Sequence, residues 1–307
     1  MVYRVVTRKS RLARKQAELF VTAFKAQHPD IELNIIPVDT AVDQTDLPVE
    51  SFGGKGSFVK ELEDLVLSGF ADCAVHSMKD MSVRGVEGLM IGAIMPREDT
   101  RDVIISNDFT SLAALPAGAI VGTSSLRRSS QLMVKRPDLR IIPCRGNIDT
   151  RLDKLSRGDF HALVLAGVGL ERLNLHDSIT EYLPTSWMLP APAQAVIAIQ
   201  CRSEDLTLRK QLDAVHHHAT AELVYWERKV VSLLGGHCQM PLAAHASYQD
   251  GVICLGVALG YANGDQLLRK SCILGGGIVQ ENVQRVQDLC NELLQDGGAE
   301  ILEYYAR

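Results

Sequence analysis

Apolar and polar positions along the first two-thirds of the chain switch repeatedly between strand and helix periods. Residues 3–7 read as a short strand. Ser10 then stands where a helix cap belongs, before Leu12, Gln16, Leu19, Ala23 and Phe24 at near-helical spacing. That helix is expected to run to about Gln27 and to end at His28-Pro29. Residues 31–38 predict a second strand, and 57–68 an amphipathic helix stopped by Gly69. Residues 71–76 and 89–94 are apolar runs of strand length. The pattern then restarts: strand 119–122, a helix from Ser124 ending before Pro137, strand 139–143, helix 147–157, strand 161–166 and helix 168–173. Repeated strand–helix units predict an α/β fold with mixed, largely parallel sheets. Binding residues in such folds gather beyond the C-terminal ends of the strands, where Arg8 and residues 76–80, 123–128 and 145–151 fall.

Beyond Pro190-Ala191-Pro192 the pattern changes. Helical periods cover 204–217 and 219–234, then strand-like runs cover 242–248, 251–259 and 266–273, and a last helix covers 279–295. The segments QDG (249–251) and ANGD (262–265) suit hairpin turns, so an α+β domain with a three-stranded antiparallel sheet is expected.

Composition narrows the classes. The chain has 307 residues, enough for two or three domains. Aromatic residues make up 5%, which disfavours stacking on single-stranded nucleic acid. No apolar run is long enough to span a membrane, and the N-terminus lacks an apolar signal core, so a cytoplasmic protein is expected. The seven cysteines contain no C-x-x-C pair, and an odd number cannot close completely into disulfides. Consecutive histidines at 216, 217 and 218 lack the spacing of helical metal ligands and read as helix surface or a cap, so no metal is expected.

Charge adds more. The net charge is −5, yet the first fifteen residues carry six basic groups and no acidic one. Between Leu126 and Arg172 ten Lys/Arg stand against five Asp/Glu. An acidic chain with basic strand ends points to a partner bearing several negative charges. The segment VGTSSLRR (121–128) sets hydroxyls and free N–H groups at a helix start with Arg127 and Arg128 following, and RGNIDTR (145–151) repeats the device with Gly146 allowing a sharp turn. Consecutive helical residues point about 100° apart, so the two arginines need not serve one group. The cluster GGKG (53–56), with Lys55, lacks P-loop spacing. Asp80, among basic groups, could stabilise a cation, though from the residues alone a plain ion pair with Lys79 is the preferred reading. Cys238 lies in a loop of small residues beside His237, where a thiol is reachable.

In order along the chain, TRKS (7–10), GGKGSFVKELE (53–63), AVHSMKD (74–80), REDTRD (97–102), VGTSSLRR (121–128), RGNIDTRL (145–152) and GHCQ (236–239) resemble the porphobilinogen deaminase family. The resemblance implies two periplasmic-binding-protein-like lobes, 1–96 with 196–214 and 100–190, flanking an active-site cleft. It also implies a third domain, 218–307, that carries a dipyrromethane cofactor on Cys238 through a thioether. Family members condense four porphobilinogens head to tail with loss of ammonia, giving the linear tetrapyrrole hydroxymethylbilane of porphyrin and haem biosynthesis. A monomer whose partners are porphobilinogen and the growing oligopyrrole is expected, without nucleic acid or membrane.

By the same resemblance, Asp80 is the catalytic carboxylate that stabilises positive charge as ammonia leaves. Arg8, Ser10, Lys79, Thr123, Ser125, Arg127, Arg128, Arg145, Arg151, Arg172 and Gln194 hold cofactor and substrate carboxylates, with Gln16, Lys55, Ser77 and Gly146 in support. Two departures stand out. The family's usual Gly-Gln-Gly is Ala193-Gln194-Ala195 here, and a usual lid glycine is Val42. They bear on lid motion and turnover, so a slow or inactive paralogue binding a polycarboxylate is the alternative. A nucleic-acid binder is disfavoured by the acidic balance, and a cysteine hydrolase requires a base aimed at Cys238.

Overall fold

The computed structural model describes residues 1–40, 59–235 and 240–306. In chain order its elements are β1 (Val2–Arg8), α1 (Arg11–Gln27), β2 (Glu32–Val38), α2 (Lys60–Leu67), β3 (Cys73–Ser77) and β4 (Leu89–Ile94). There follow β5 (Asp102–Ile105), β6 (Ile120–Gly122), α3 (Leu126–Lys135), β7 (Arg140–Ile142), α4 (Ile148–Ser156), β8 (Ala162–Ala166), α5 (Gly167–Arg172) and β9 (Glu181–Tyr182). The last are β10 (Ile197–Arg202), α6 (Leu206–Leu212), α7 (His218–Leu233), β11 (Leu242–Gln249), β12 (Val252–Gly260), β13 (Leu267–Leu274), α8 (Gln280–Leu293) and α9 (Ala299–Ala306).

Two five-stranded sheets share one plan. The first runs β2-β1-β3-β10-β4 and the second β7-β6-β8-β5-β9. In each, the second strand, β1 or β6, pairs in parallel with both neighbours, while β10 or β5 lies antiparallel between the third strand and the edge. The third sheet, β11-β12-β13, is wholly antiparallel. This is the expected class, mixed sheets in two α/β lobes with a C-terminal α+β region, although in each five-stranded sheet two pairings are parallel and two antiparallel. Contacts divide the chain into one unit of Met1–Glu98 with Ala195–Ala221, and another of Asp99–Gln194 with Glu222–Arg307.

Strand periodicity builds the cores. In the first sheet Val5, Cys73 and Val75 join Ala17, Phe20 and Phe24 of α1 on one face. Val6 and Ala74 turn to the other face, against Leu62 and Val66 of α2. In the second sheet Ile104, Val121 and Val164 pack with Leu132 of α3. Val103, Ile105, Leu163 and Leu165 face Leu155 and Leu170 instead. Burying both faces accounts for the continuous apolar runs in the sequence.

Several elements depart from the sequence pattern. β5, β9 and β10 have no predicted counterpart. The helix expected over 204–217 stops at Leu212, passes through a 3₁₀ turn (Asp213–Val215), and a new helix begins at His218. There the His217 ring accepts the Thr220 N–H at 3.2 Å, and His216 Nδ1 accepts the Ile94 N–H, so both imidazoles have backbone partners. The QDG turn forms as expected, with Asp250 and Gly251 both at positive φ as a two-residue hairpin requires. Among the described residues no helix is long and apolar enough to cross a membrane.

Candidate functional site

In the first unit, β1 and β3 are parallel neighbours, Val6 standing opposite Ala74. Arg8 therefore ends beside residues 76–80. Ser10 caps α1 through the Ala13 N–H at 3.3 Å. One turn on, buried Gln16 bonds the Ser77 hydroxyl at 2.8 Å, tying α1 to the end of β3. The chain then makes a 3₁₀ turn, Met78–Asp80, which turns Lys79 and Asp80 out of the sheet while Met78 stays buried. Asp80 is half-buried and makes no hydrogen bond or ion pair among the described residues; in particular, the Lys79–Asp80 pair is not formed. Behind this edge His76 is buried and bonds Gln200 Oε1 at 3.0 Å. Burial pushes its imidazole down to about 4, against the hydrogen bond it donates to Gln200, so it is neutral at physiological pH.

In the second unit, β6 lies between β7 and β8, and all three are parallel. Their C-terminal ends bring residues 123–125, 145–147 and 167 to one edge. Thr123 Oγ1 accepts the Ser125 N–H, and Ser125 caps α3 through Arg128 N. Asn147 caps α4 through Thr150 N at 3.0 Å. Gly146 has φ 107°, and a Cβ there would meet Thr150 Cγ2 at 2.8 Å, so this turn needs glycine. Arg151 donates from Nε to the Gly146 carbonyl at 2.7 Å, which closes the turn. The Arg145 side chain forms no ion pair or hydrogen bond among the described residues and is half-buried. Arg172 is buried at the end of α5.

Arg127 and Arg128 are buried and turn inward. Both reach Asp102, one to each oxygen: Arg127 Nη1 lies 2.7 Å from Oδ2 and Arg128 Nη2 lies 2.9 Å from Oδ1. Arg127 also donates to the Leu189 carbonyl at 2.7 Å, and Arg128 to the Val164 carbonyl at 3.1 Å. Gln194, fully buried, donates from Nε2 to the Thr100 carbonyl and to Asp102 Oδ1. Burial by itself would raise the Asp102 carboxyl, but the two guanidiniums outweigh it and hold it well below the usual carboxylate range. Two consecutive arginines thus serve one group despite their angular separation. The side chains are long enough to converge from both sides.

Asp102, the last residue of REDTRD, is a site residue that sequence reasoning missed. Its signal was a carboxylate opening an apolar run, Asp102 before Val103, Ile104 and Ile105. Glu227, fully buried in α7, also went unread; it accepts the Ala193 and Ala246 N–H groups at 2.7 Å each. Ala193 and Ala195 both adopt positive φ, 59° and 68°. Alanine therefore occupies the backbone conformation for which a glycine is usual. Cys238, Lys55 and Val42 lie outside the described residues.

The family model for porphobilinogen deaminase, dipyrromethane cofactor binding domain, matches residues 3–210. Among solved structures, the chain is similar to the periplasmic VFT2 domain of Bordetella pertussis BvgS, with 17% identity over 70% of this chain and 86% of that one, at a TM-score of 0.42. It is also similar to a nutrient binding protein from Burkholderia cenocepacia bound to methionine, with 13% identity over 71% and 93%, at a TM-score of 0.44. Neither of these two likenesses bears on what this chain does. The family match does, since it spans more than half of the 307 residues. The chain belongs to the porphobilinogen deaminase family.

Proposed function

We propose that this protein is a porphobilinogen deaminase, joining four porphobilinogens head to tail with release of ammonia, on a dipyrromethane attached through a thioether to Cys238. The observation that carries the reading is Asp80, a half-buried carboxylate at a strand end with no partner among the described residues. A dipyrromethane bears acetate and propionate groups together with pyrrole N–H donors. It therefore requires several cations and hydroxyls, and one carboxylate. The side chains at the two strand edges have that chemistry. At the edge of the first sheet Arg8 and Lys79 supply charge and Ser10 a hydroxyl; at the edge of the second Arg145, Arg151 and Arg172 supply charge and Thr123 and Ser125 hydroxyls, so the residues of each edge by itself fit the carboxylates of the group. When bound, dipyrromethane would supply the nucleophilic ring carbon.

The chain's own residues do the rest. Asp80 accepts pyrrole N–H groups and offsets the positive charge that develops as the amine leaves, which is electrostatic stabilisation and not nucleophilic attack. The arginines and Lys79 hold the carboxylates in register and offset the cost of removing them from water. Gln16 and Ser77 fix the turn that presents Asp80. Neutral His76 behind the turn adds no competing charge.

The test is the intact mass of the purified chain beside Cys238→Ser. An excess equal to two pyrrole units, absent from the variant, is expected, followed by one-ring increments on addition of porphobilinogen. A bare polypeptide mass that stays bare after incubation would overturn the reading. Asp80→Ala should keep the fold and lose about 100-fold or more in kcat, the scale of removing one transition-state electrostatic partner. One observation favours a slower enzyme as the second reading: positive φ at both Ala193 and Ala195. If it holds, the same mass ladder appears on a longer timescale.

A further inference from the structure

Asp102 opens β5 with no exposed surface at all and gathers three side chains that are distant in sequence: Arg127, Arg128 and Gln194. Arg128 is fully committed, donating from Nε and Nη2 to Asp102 and from Nη1 to Val164. Arg127 is committed on one side only. Its Nη1 takes Asp102, Leu189 and Met188, while its Nε and Nη2 make no hydrogen bond among the described residues. The cluster also carries an imbalance, because two guanidiniums face a single carboxylate. In surroundings that screen charge weakly, the surplus positive charge calls for one more anion.

From this we infer that Asp102 is a positioning residue for ligand carboxylates. It holds Arg128 and Gln194 in place and fixes Arg127 from one side, so that the Nε and Nη2 of Arg127 are presented to an acetate or propionate of the oligopyrrole. A long arginine side chain gains most from such a partner, because its orientation is then set before the ligand arrives. This inference rests on the deaminase reading for the identity of the ligand. The geometry of the cluster does not depend on that reading.

The test uses the full-length chain with Asp102→Asn, which keeps shape and removes charge, and Asp102→Glu, which keeps charge and moves it. Exchange of the Arg128 Nε–H and the Gln194 side-chain amide with solvent is followed by NMR, next to thermal unfolding and steady-state kinetics. Slow exchange in the parent should be lost in Asp102→Asn. Its KM for porphobilinogen should rise roughly tenfold, the scale usual for a supporting partner of a ligand-holding group, with a smaller change in kcat. Combined with Arg127→Lys, the double variant should be no worse than the poorer single one, since both changes remove the same device. If Asp102→Asn does not fold, Asp102→Glu is expected to show the same pattern. Protection of Arg128 surviving in the variant, an unchanged KM, or losses that multiply would each sink the inference. A parent chain that turns over no porphobilinogen would sink the deaminase reading, and the exchange measurement would then decide the role of Asp102.

Discussion

At the scale of single residues, two backbone positions behave oppositely although both have positive φ. Gly146 combines φ 107° with Thr150 atoms 2.8–2.9 Å from any added Cβ. Gly146→Ala should therefore destabilise by roughly 2 kcal/mol or more, read from urea unfolding, and should weaken substrate binding by displacing Arg145. Ala193 sits at φ 59°, where relief of left-handed strain by glycine is worth roughly 1–2 kcal/mol. Its buried methyl is worth about 0.8 kcal/mol, and added freedom of the unfolded chain offsets much of the remainder. Ala193→Gly should thus change stability by less than about 1 kcal/mol. A clear loss of stability would mean the methyl packs better than its conformation costs. His76 gives a pH signature. Its imidazole lies near 4 in the fold against an ordinary 6.5, so unfolding takes up a proton between those values. Stability is full above about pH 6.5 and falls as pH drops towards 4, by about 2 kcal/mol between pH 7 and 5. A matched series with His76→Asn should be flatter over that range.

At the scale of elements, strand ends and helix caps carry the site. Ser10, Ser125 and Asn147 each cap a helix that starts at a strand edge; Ser10 was legible as a cap, whereas the expected helices from Ser124 and from residue 147 started one or two residues too early. Asn147→Ala should cost about 1 kcal/mol in unfolding and Asn147→Asp much less. β5 was not legible. A carboxylate beginning a four-residue strand reads as loop, and Asp102 is tolerated in the core only because two arginines and an amide reach it. β10 was hidden for a different reason. Its residues are plainly apolar, but their place between β3 and β4 depends on a partner more than 100 residues away. The helix expected over 204–217 broke because Asp213–Val215 tightens into a 3₁₀ turn and His217 then caps the next helix.

At the scale of the whole molecule, the chain is acidic at −5 yet basic at the strand ends that carry the ligand-binding candidates. Half-exposed cations such as Arg145 and Lys79 are screened by salt, whereas the buried Arg127–Asp102–Arg128 cluster is screened far less. Raising ionic strength from 0.05 to 0.5 M, roughly a threefold fall in Debye length, should therefore raise KM for porphobilinogen several-fold and leave kcat nearly unchanged. A kcat that falls in parallel would place the salt-sensitive contacts in the transition state and not in ground-state binding.

Local chemistry in the sequence determined the α/β class, the helix starts, the hairpin turns and the candidate anion-binding loops, because caps, glycine turns and hydrophobic periods act within a few residues. Family membership was legible as well, since seven short motifs occur in order along the chain. Tertiary structure alone decided which charges meet. Arg127 and Arg128 look like surface cations when read one residue at a time, and they are buried because β5 brings Asp102 between them. Asp80 shows the converse. The ion pair with Lys79 that its sequence allows is not made: consecutive residues of a 3₁₀ turn, three per turn, point about 120° apart, and the carboxylate has no partner among the described residues. Coulombic pairing depends on distance in space, and distance along the chain does not fix it.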